Sequence, residues 1–263
     1  MRLKPAAYKT QEDTNMKKKM YVILAVLMML FMCQGVLTGC GSSGMADYAG
    51  KWVAIAVVSG DYTIPETAAD DPFTFEISED GKTQVNVGSE NGSGKCSVKD
   101  KEMTLTIEGS EAKGTIDGDS VAFDDMFGTG SKIIFAKYGT SALNPALYLS
   151  DSEKKAIGTW KAESYMEVLD DTPRTSMDGY SSMADALQMT FNMDYDSGYS
   201  ASVKVLGDSY EGVEWSFMSD DTGMLGLDAY TVLMEYTDDG KMQVSVSGGT
   251  NDVYYTFICA KAE

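Results

Sequence analysis

The chain has 263 residues, with 40 acidic and 21 basic side chains, a formal net charge of −19 and no histidine. The lack of histidine excludes Ser-His-Asp and Cys-His catalysis and any zinc or iron site with histidine ligands. The excess of negative charge repels nucleic acid and anionic lipid head groups, so neither is expected as a direct partner.

The first predicted element is a secretory leader. Residues 21–33, "YVILAVLMMLFMC", are 13 consecutive apolar positions that follow Lys17, Lys18 and Lys19. A membrane-spanning helix needs about 20 such residues, whereas a basic start and a short apolar run are typical of a signal peptide. Because signal peptides begin at their basic end, Met16 is the predicted translation start, and residues 1–15 are predicted to carry no function.

The leader ends in "LTGC", Leu37 to Cys40, with a small residue directly before the cysteine. This stretch resembles the lipobox of bacterial lipoproteins. The resemblance implies that residues 1–39 are removed, that Cys40 carries acyl chains such as palmitate, and that residues 40–47 tether the protein to the outer face of a cell membrane. The alternative is an ordinary cleaved signal followed by a chance cysteine. From Cys40 onward the chain has 15 basic and 38 acidic residues, a formal net charge of −23.

The remaining chain shows an internal duplication. Gly-x-Trp occurs at Trp52 and again at Trp160, which is 108 residues later. Further landmarks recur in the same order, as expected for a repeat. They predict a first domain at 48–138, a linker at 139–155 and a second domain at 156–263. The matched landmarks are Phe75 with Phe191, Cys96 with Trp215, the Asp-Gly turns at 117–118 and 239–240, and Lys137 with Lys261.

Each repeat is predicted to consist of short strands. In "FTFEIS" the apolar residues Phe73, Phe75 and Ile77 alternate with polar ones, and Asp-Gly and Asn-Gly pairs separate such runs. This pattern is typical of antiparallel hairpins with one buried face. Short helices are predicted only at 150–158 and 181–188. The strands expected in the first repeat lie near 51–58, 73–78, 83–88, 94–98, 102–108, 112–116, 120–124 and 132–138.

A helical turn that leads into Gly-x-Trp on the first of about eight strands resembles the lipocalin-like β-barrels found in tandem on bacterial lipoproteins. The predicted fold is therefore all-β, with two small antiparallel up-and-down barrels. In that family the tryptophan closes the barrel bottom under a basic residue from the last strand. The resemblance thus gives Trp52, Trp160, Lys137 and Lys261 structural roles, and a cation over an indole face is physically favourable.

No catalytic, cofactor or metal site is predicted, and the chain is not expected to be an enzyme. Acidic residues fall mostly in hairpin turns, which leaves a carboxylate-dependent glycan hydrolase as the weakest alternative. "NMDYDSG", 192–198, superficially resembles a calcium loop, but its glycine is one position late, so a turn is predicted. Cys96 and Cys259 are expected to be small buried apolar residues rather than a disulfide.

Two functions are compatible with these features. The first is a binding module for a small apolar or amphipathic ligand or an envelope component. The second is a structural or protein-interaction lipoprotein with solid barrels. If a small ligand binds, the second repeat is the predicted site, with Met183 and Leu187 as a lid and Trp215 on the lining. Nine methionines in that repeat, against two in the first, suit an adaptable interior or an irregular core.

Overall fold

The computed structural model describes residues 45–262 apart from 61, 129, 168–169, 218–220 and 250–252, and it leaves the side chains of residues 127 and 171 undescribed. The predicted leader and Cys40 lie outside the described residues. The chain divides into two compact units between Tyr148 and Leu149, a point inside the predicted linker.

The first unit is a closed antiparallel barrel. Strand β9 pairs with both β8 and β1, so the sheet closes on itself through eight strands, β1 and β3 to β9. Strand β2 pairs with the second half of β1. Turns of 3-10 helix lie at Ala46–Tyr48, Ala68–Asp70, Met126–Gly128 and Pro145–Tyr148. The strands are β1 Gly50–Ser59, β2 Tyr62–Pro65, β3 Thr74–Ile77, β4 Lys82–Val87, β5 Glu90–Lys99, β6 Glu102–Ile107, β7 Ser110–Asp117, β8 Ser120–Phe123 and β9 Lys132–Lys137.

The second unit repeats this order after a short helix, α1 (Asp151–Ala156). The last strand again pairs with the first. A second helix, α2 (Met183–Ala186), precedes the strand that matches β3. The strands are β10 Gly158–Glu167, β11 Asp170–Arg174, β12 Leu187–Asp194, β13 Gly198–Val205, β14 Asp208–Val213, β15 Trp215–Phe217, β16 Thr222–Gly226, β17 Tyr230–Tyr236, β18 Met242–Gly248 and β19 Val253–Lys261.

Strands β14 and β15 together occupy the place of β5. They are separated only by Glu214, and β14 pairs with β13 whereas β15 pairs with β16. In the first barrel the single strand β5 pairs with β4 through its first half and with β6 through its second half. Each barrel therefore has eight strand positions, which confirms the predicted all-β fold with two tandem barrels.

Both short helices begin at a capping serine. The backbone N–H of Glu153 donates to Oγ of Ser150 at 3.3 Å, and the Glu153 carboxylate accepts from the Ser150 N–H at 2.9 Å. Ser182 caps α2 in the same position, through a bond from the Asp185 N–H. Such caps satisfy backbone N–H groups that have no partner within the helix. The predicted helix at 181–188 is shorter in the structure because Leu187 already belongs to β12.

The strand register corrects one pair of landmarks. Trp52 lies opposite Phe75, whereas Trp160 lies opposite Met189, so Phe75 matches Met189 and not Phe191. The predicted pairing of Phe75 with Phe191 is thus wrong by two residues. A shift of two keeps every side chain on the same face of a strand, so the alternating pattern could not distinguish the two alignments.

Candidate functional site

The base of each barrel is held by its tryptophan. Trp52 and Trp160 are each 1% exposed. The indole N–H of Trp52 donates to the carbonyl oxygen of Tyr48 at 2.9 Å, and that of Trp160 donates to Ala156 at 2.8 Å. In both cases the acceptor lies four residues earlier, in the turn that leads into the first strand. The tryptophan therefore fixes that turn to the barrel without leaving a buried N–H unpaired.

The closing lysines repeat the same geometry. Lys137 lies opposite Trp52 and Lys261 opposite Trp160 in the strand register. The ammonium of Lys137 donates to the carbonyl of Asp47 at 2.8 Å, and that of Lys261 donates to Lys155 at 2.9 Å. The Lys261 Nζ also lies 5.8 Å from the centroid of the Trp160 ring. These contacts join the last strand to the turn before the first strand, which is a structural task.

The glycine of Gly-x-Trp is required at this junction. Gly50 has φ +116° and Gly158 has φ +110°, a conformation that side chains with a Cβ rarely adopt. A Cβ at Gly158 would lie 3.2 Å from Cε of Lys261, and one at Gly50 would lie 3.6 Å from Cε of Lys137. The backbone conformation therefore favours glycine at both positions, and at Gly158 the missing Cβ also leaves room for the lysine stem.

The interior of the second barrel is filled by its own side chains. Leu187 and Phe191 are 0% exposed and Trp215 is 1% exposed, and all three belong to one continuous core. A cavity large enough for a ligand would leave its lining accessible to a water-sized probe. The complete burial of these inward side chains therefore shows that the described part of the second barrel has a packed interior rather than a calyx.

The structure corrects the predicted lid. Met183 is 6% exposed and packs in the same core as Leu187, so neither covers an open mouth. Trp215 does face the barrel interior, where its ring contacts Phe191 at 5.4 Å and Tyr199 at 5.1 Å between centroids. The Trp215 indole N–H donates to the carbonyl of Asn192 at 3.0 Å. All three predicted pocket residues are thus core residues.

The end of the second barrel opposite its base carries a feature that the sequence analysis missed. Four tyrosines, Tyr180, Tyr210, Tyr230 and Tyr255, lie here; we call them the tyrosine cluster. Tyr230 Oη donates to the Asp208 carboxylate at 3.0 Å. The other three rings are half-buried and pack against the core. This end of the barrel therefore presents aromatic surface at its rim.

Burial and negative charge act together on these hydroxyls. Burial, the hydrogen bond to Asp208 and the charge of that carboxylate raise the pKa of Tyr230 to about 12. Burial and then nearby negative groups, among them Asp208, also raise the pKa of Tyr180 and of Tyr210. Asp228 contributes to the shift at Tyr210. Tyr180, Tyr210 and Tyr230 consequently remain protonated donors at neutral pH, in a locally negative environment.

The two cysteines of the domains are unreactive core residues. Cys96 and Cys259 are both buried free thiols, so the alternative of a disulfide is not realised. Burial raises the pKa of the Cys96 thiol to about 12 and moves that of Cys259 upward as well. A thiol that stays protonated is a poor nucleophile.

The segment 192–198 is a tight turn, as predicted. Its Asp194 carboxylate accepts a hydrogen bond from the Ser197 N–H at 2.7 Å, which closes the connection between β12 and β13. Within the described ranges, no cluster of three or more Cys, Asp or Glu side chains has the arrangement of a metal site. None of the helices that the structure describes is both long and apolar enough to cross a bilayer.

No protein-family model matches the chain, and a search of curated proteins finds no relative. Among solved structures, an uncharacterized protein from Bacteroides eggerthii aligns over 35% of this chain and 99% of its own length, with 16% identity and a TM-score of 0.27. A DUF3598-family protein of unknown function from Nostoc punctiforme covers 86% and 100%, with 7% identity and a TM-score of 0.29. The transferrin-binding protein B of Haemophilus parasuis covers 81% and 76%, with 8% identity and a TM-score of 0.21. Similarities at these scores identify neither a family nor a function.

Proposed function

We propose that the protein is a lipid-anchored, extracytoplasmic, non-catalytic binding protein that meets an envelope component on its outer surface. The observation that carries the proposal is the packed interior. Small-molecule sites are concave and bury most of their ligand. The inward residues of the second barrel, such as Phe191 and Leu187, instead bury one another completely. We therefore place the binding of the envelope component on the outer strand faces, the barrel rims and the turns.

The anchoring part of the proposal rests on Cys40 and the leader before it. Each buried CH₂ of an acyl chain contributes about 0.8 kcal/mol, so two or three chains hold a protein stably where one is marginal. The following residues, Gly41 to Gly44, read Gly-Ser-Ser-Gly, a composition typical of a flexible tether. The acidic character of the mature chain keeps the barrels in solution away from anionic head groups.

Replacement of the anchor cysteine tests this part. In Cys40→Ser cells we expect the protein to lose labelling by a palmitate probe and to leave the membrane fraction, because no other residue of the leader can take its place. Cys33→Ser is the matched control, since Cys33 lies in the apolar run and precedes the cleavage point. Retained labelling in the Cys40→Ser protein would contradict the anchor.

Titration with apolar ligands tests the packed interior. Trp215 lies on the interior face and contacts Phe191 and Tyr199, so a ligand inside the barrel must change its emission. We expect no saturable change with fatty acids, sterols or aromatic amphiphiles. The Trp215 signal is isolated as the difference between wild type and Trp215→Phe. A saturable change present in wild type and absent in Trp215→Phe would assign a ligand to the interior instead.

A further inference from the structure

The tyrosine cluster lies at the second barrel's mouth, the end formed by the turns around 206–208 and 227–229. The Leu206 N–H donates to the carbonyl of Ala186 at 2.8 Å, which joins the first turn to α2. The Leu227 N–H donates to Tyr230 at 3.0 Å across the second turn. The bond from Tyr230 to Asp208 then connects the two turns. These bonds hold the two turns and place the Tyr230 ring beside the Asp208 carboxylate.

The first barrel has small residues at the places of three tyrosines of this cluster, Tyr210, Tyr230 and Tyr255. Tyr210 lies opposite Val203 in β13, and the residue in the same place of β5 is Gly92, opposite Val85. Counted in register from the closing lysines, Tyr230 and Tyr255 correspond to a serine each, Ser110 and Ser131. The base contacts repeat between the barrels, so a shared folding requirement does not explain the tyrosines. They are specific to the second mouth.

The mouth carries negatively charged side chains that a partner can reach. Asp208 and Asp228 are both exposed. Among the described basic side chains at this end, Arg174 is paired with Glu167 and Asp170, and its guanidinium lies 5.9 Å from the ring centroid of Tyr165, which packs on Tyr255. Lys204, similarly, lies 2.8 Å from Asp185. The carboxylates beside the tyrosine cluster thus present unneutralised negative charge next to aromatic faces. A cation attracted by both is the complementary group.

We propose that the mouth of the second barrel docks a basic segment of a partner protein, with an arginine side chain stacked on the tyrosine cluster and facing Asp208 and Asp228. Arginine fits because its planar guanidinium stacks on aromatic rings and pairs with carboxylates at the same time. We choose a macromolecular partner because the described interior residues, such as Leu187 and Phe191, are fully buried, whereas the two carboxylates lie exposed on the surface. Tyrosine-rich surfaces are typical centres of protein interfaces. This inference rests on the proposed function, since it names the partner class for the outer surface.

The test uses the full mature chain and a fluorescent peptide of alternating arginine and serine, with binding followed by anisotropy at about 0.15 M salt. We expect saturable binding that Tyr180→Leu with Tyr210→Leu weakens about tenfold, because two cation–π faces are lost. Asp208→Asn with Asp228→Asn should weaken binding by a similar factor. A peptide with lysine in place of arginine should bind less tightly than the arginine peptide.

Matched controls separate docking from general attraction to an acidic protein. Glu79→Gln with Glu111→Gln removes the same two charges from exposed positions of the first barrel. Tyr62→Leu with Tyr138→Leu removes two tyrosines that are 75% and 48% exposed. Both control pairs should change the affinity less than about twofold. Equal weakening by the control and mouth pairs, or no saturable binding to wild type, would overturn the inference.

The outcomes also separate this inference from the proposed function. Folding of each variant is checked by its thermal melt, and the two aspartate substitutions lie on the surface, so their result stands even if a tyrosine variant unfolds. Suppose that the arginine peptide fails to bind, although Cys40→Ser loses its label and apolar ligands leave Trp215 emission unchanged. That result would contradict the docking inference and leave the proposed function supported. If Trp215 instead reports a ligand inside the barrel, the proposed function falls.

Discussion

The two barrels share one frame but fill it with different residues. In the first, Met103 on β6 lies opposite Gly114 on β7. At the same place in the second, Gly223 on β16 lies opposite Met234 on β17. The long side chain and the glycine have exchanged strands. The comparison teaches that the two barrels keep the pairing of a long side chain with a glycine at this place, although they place the two residues on opposite strands.

The glycines in these pairs pack closely against their neighbours. A Cβ on Gly223 would lie 2.9 Å from Cε of Met234 and 3.2 Å from the ring of Phe217. A Cβ on Gly114 would lie 2.8 Å from Val121 and 2.9 Å from a neighbouring phenylalanine ring. Because interiors are close-packed, a large side chain on one strand demands a small one on the next. Five of the second repeat's methionines, Met183, Met189, Met193, Met234 and Met242, are buried and fill the core.

The same redistribution affects the aromatic residues. Trp215 replaces Cys96 at the position opposite a leucine, which the paired Leu225 and Leu105 establish. The second barrel compensates by having smaller residues where the first has phenylalanines. In register, the four phenylalanines Phe73, Phe75, Phe123 and Phe135 correspond to Leu187, Met189, Val244 and Cys259.

The largest expected effect tests whether the tryptophan at the base contributes equally to the stability of both barrels. Trp52→Ala and Trp160→Ala should each lower the free energy of unfolding of their own barrel by about 4 kcal/mol, since each removes a buried indole and leaves a cavity. Calorimetry of the full mature chain measures the effect. Leu147→Ala, at a side chain 59% exposed, is the control and should have little effect. Loss in only one barrel would show that the two bases are not equivalent.

The exchanged glycine and methionine offer a sharper test. Met234→Gly should cost about 3 kcal/mol because it opens a cavity. Gly223→Met should also destabilise, by about 2 kcal/mol, because it overfills the core. The double variant recreates the arrangement of Met103 and Gly114, so it should recover at least half of the summed loss. Additive losses in chemical denaturation would show that the two barrels do not share a common packing volume.

A smaller effect is expected at the closing lysines. Lys137→Met and Lys261→Met keep the apolar stem but lose the bond to the carbonyl of Asp47 or Lys155. Each should cost about 1 kcal/mol, measured by denaturant titration. Lys99→Met, on an exposed strand end, is the control. If the free energies lost on substituting the two lysines differ by more than about 1 kcal/mol, the two lysines do not play the same role in their barrels.

The smallest expected effect is a difference between the two barrels in the stability that each loses at alkaline pH. Burial raises the pKa of Tyr230 to about 12, above its usual value of 10.0, and raises that of Tyr236 as well. A tyrosine that is harder to ionise when folded contributes stability that is fully present below pH 10 and is lost as the pH rises through 10 to 12. The buried Cys96 thiol, whose pKa is also raised, gives the first barrel an alkaline loss of its own. Melts at stepped pH should therefore show the steeper loss in the second barrel, where Tyr230, Tyr236 and Cys259 all contribute. Tyr230→Phe with Tyr236→Phe should reduce the slope, whereas an unchanged slope would contradict it.

The sequence was informative where side chains alternate and turns are marked. Strands such as β3, with Phe75 and Ile77 inward, and the closing Lys137 and Lys261 follow from period-two patterns and a fixed spacing. Strands β2 and β11 were missed because each is short and contains a proline, Pro65 and Pro173, which argues against a central strand.

The tyrosine cluster could not be found from local patterns. Its members come from four separate segments, 174–182, β14, β17 and β19, and only the closed register brings them to one rim. The signal that could have found it is the aligned repeat, in which Tyr210 and Tyr230 stand at places held by Gly92 and Ser110. For Tyr210 that alignment needed the two-residue correction that strand pairing supplied.

Xenon binding in crystals tests the packed interior most directly, because xenon enters apolar cavities that stay empty of water. Wild-type crystals under xenon pressure should show no xenon inside either barrel. Crystals of Met234→Gly should show xenon beside Phe217 and Gly223, where the removed side chain lay. Xenon inside the wild-type second barrel, next to Trp215 or Phe191, would contradict a solid barrel and return the binding site to its interior.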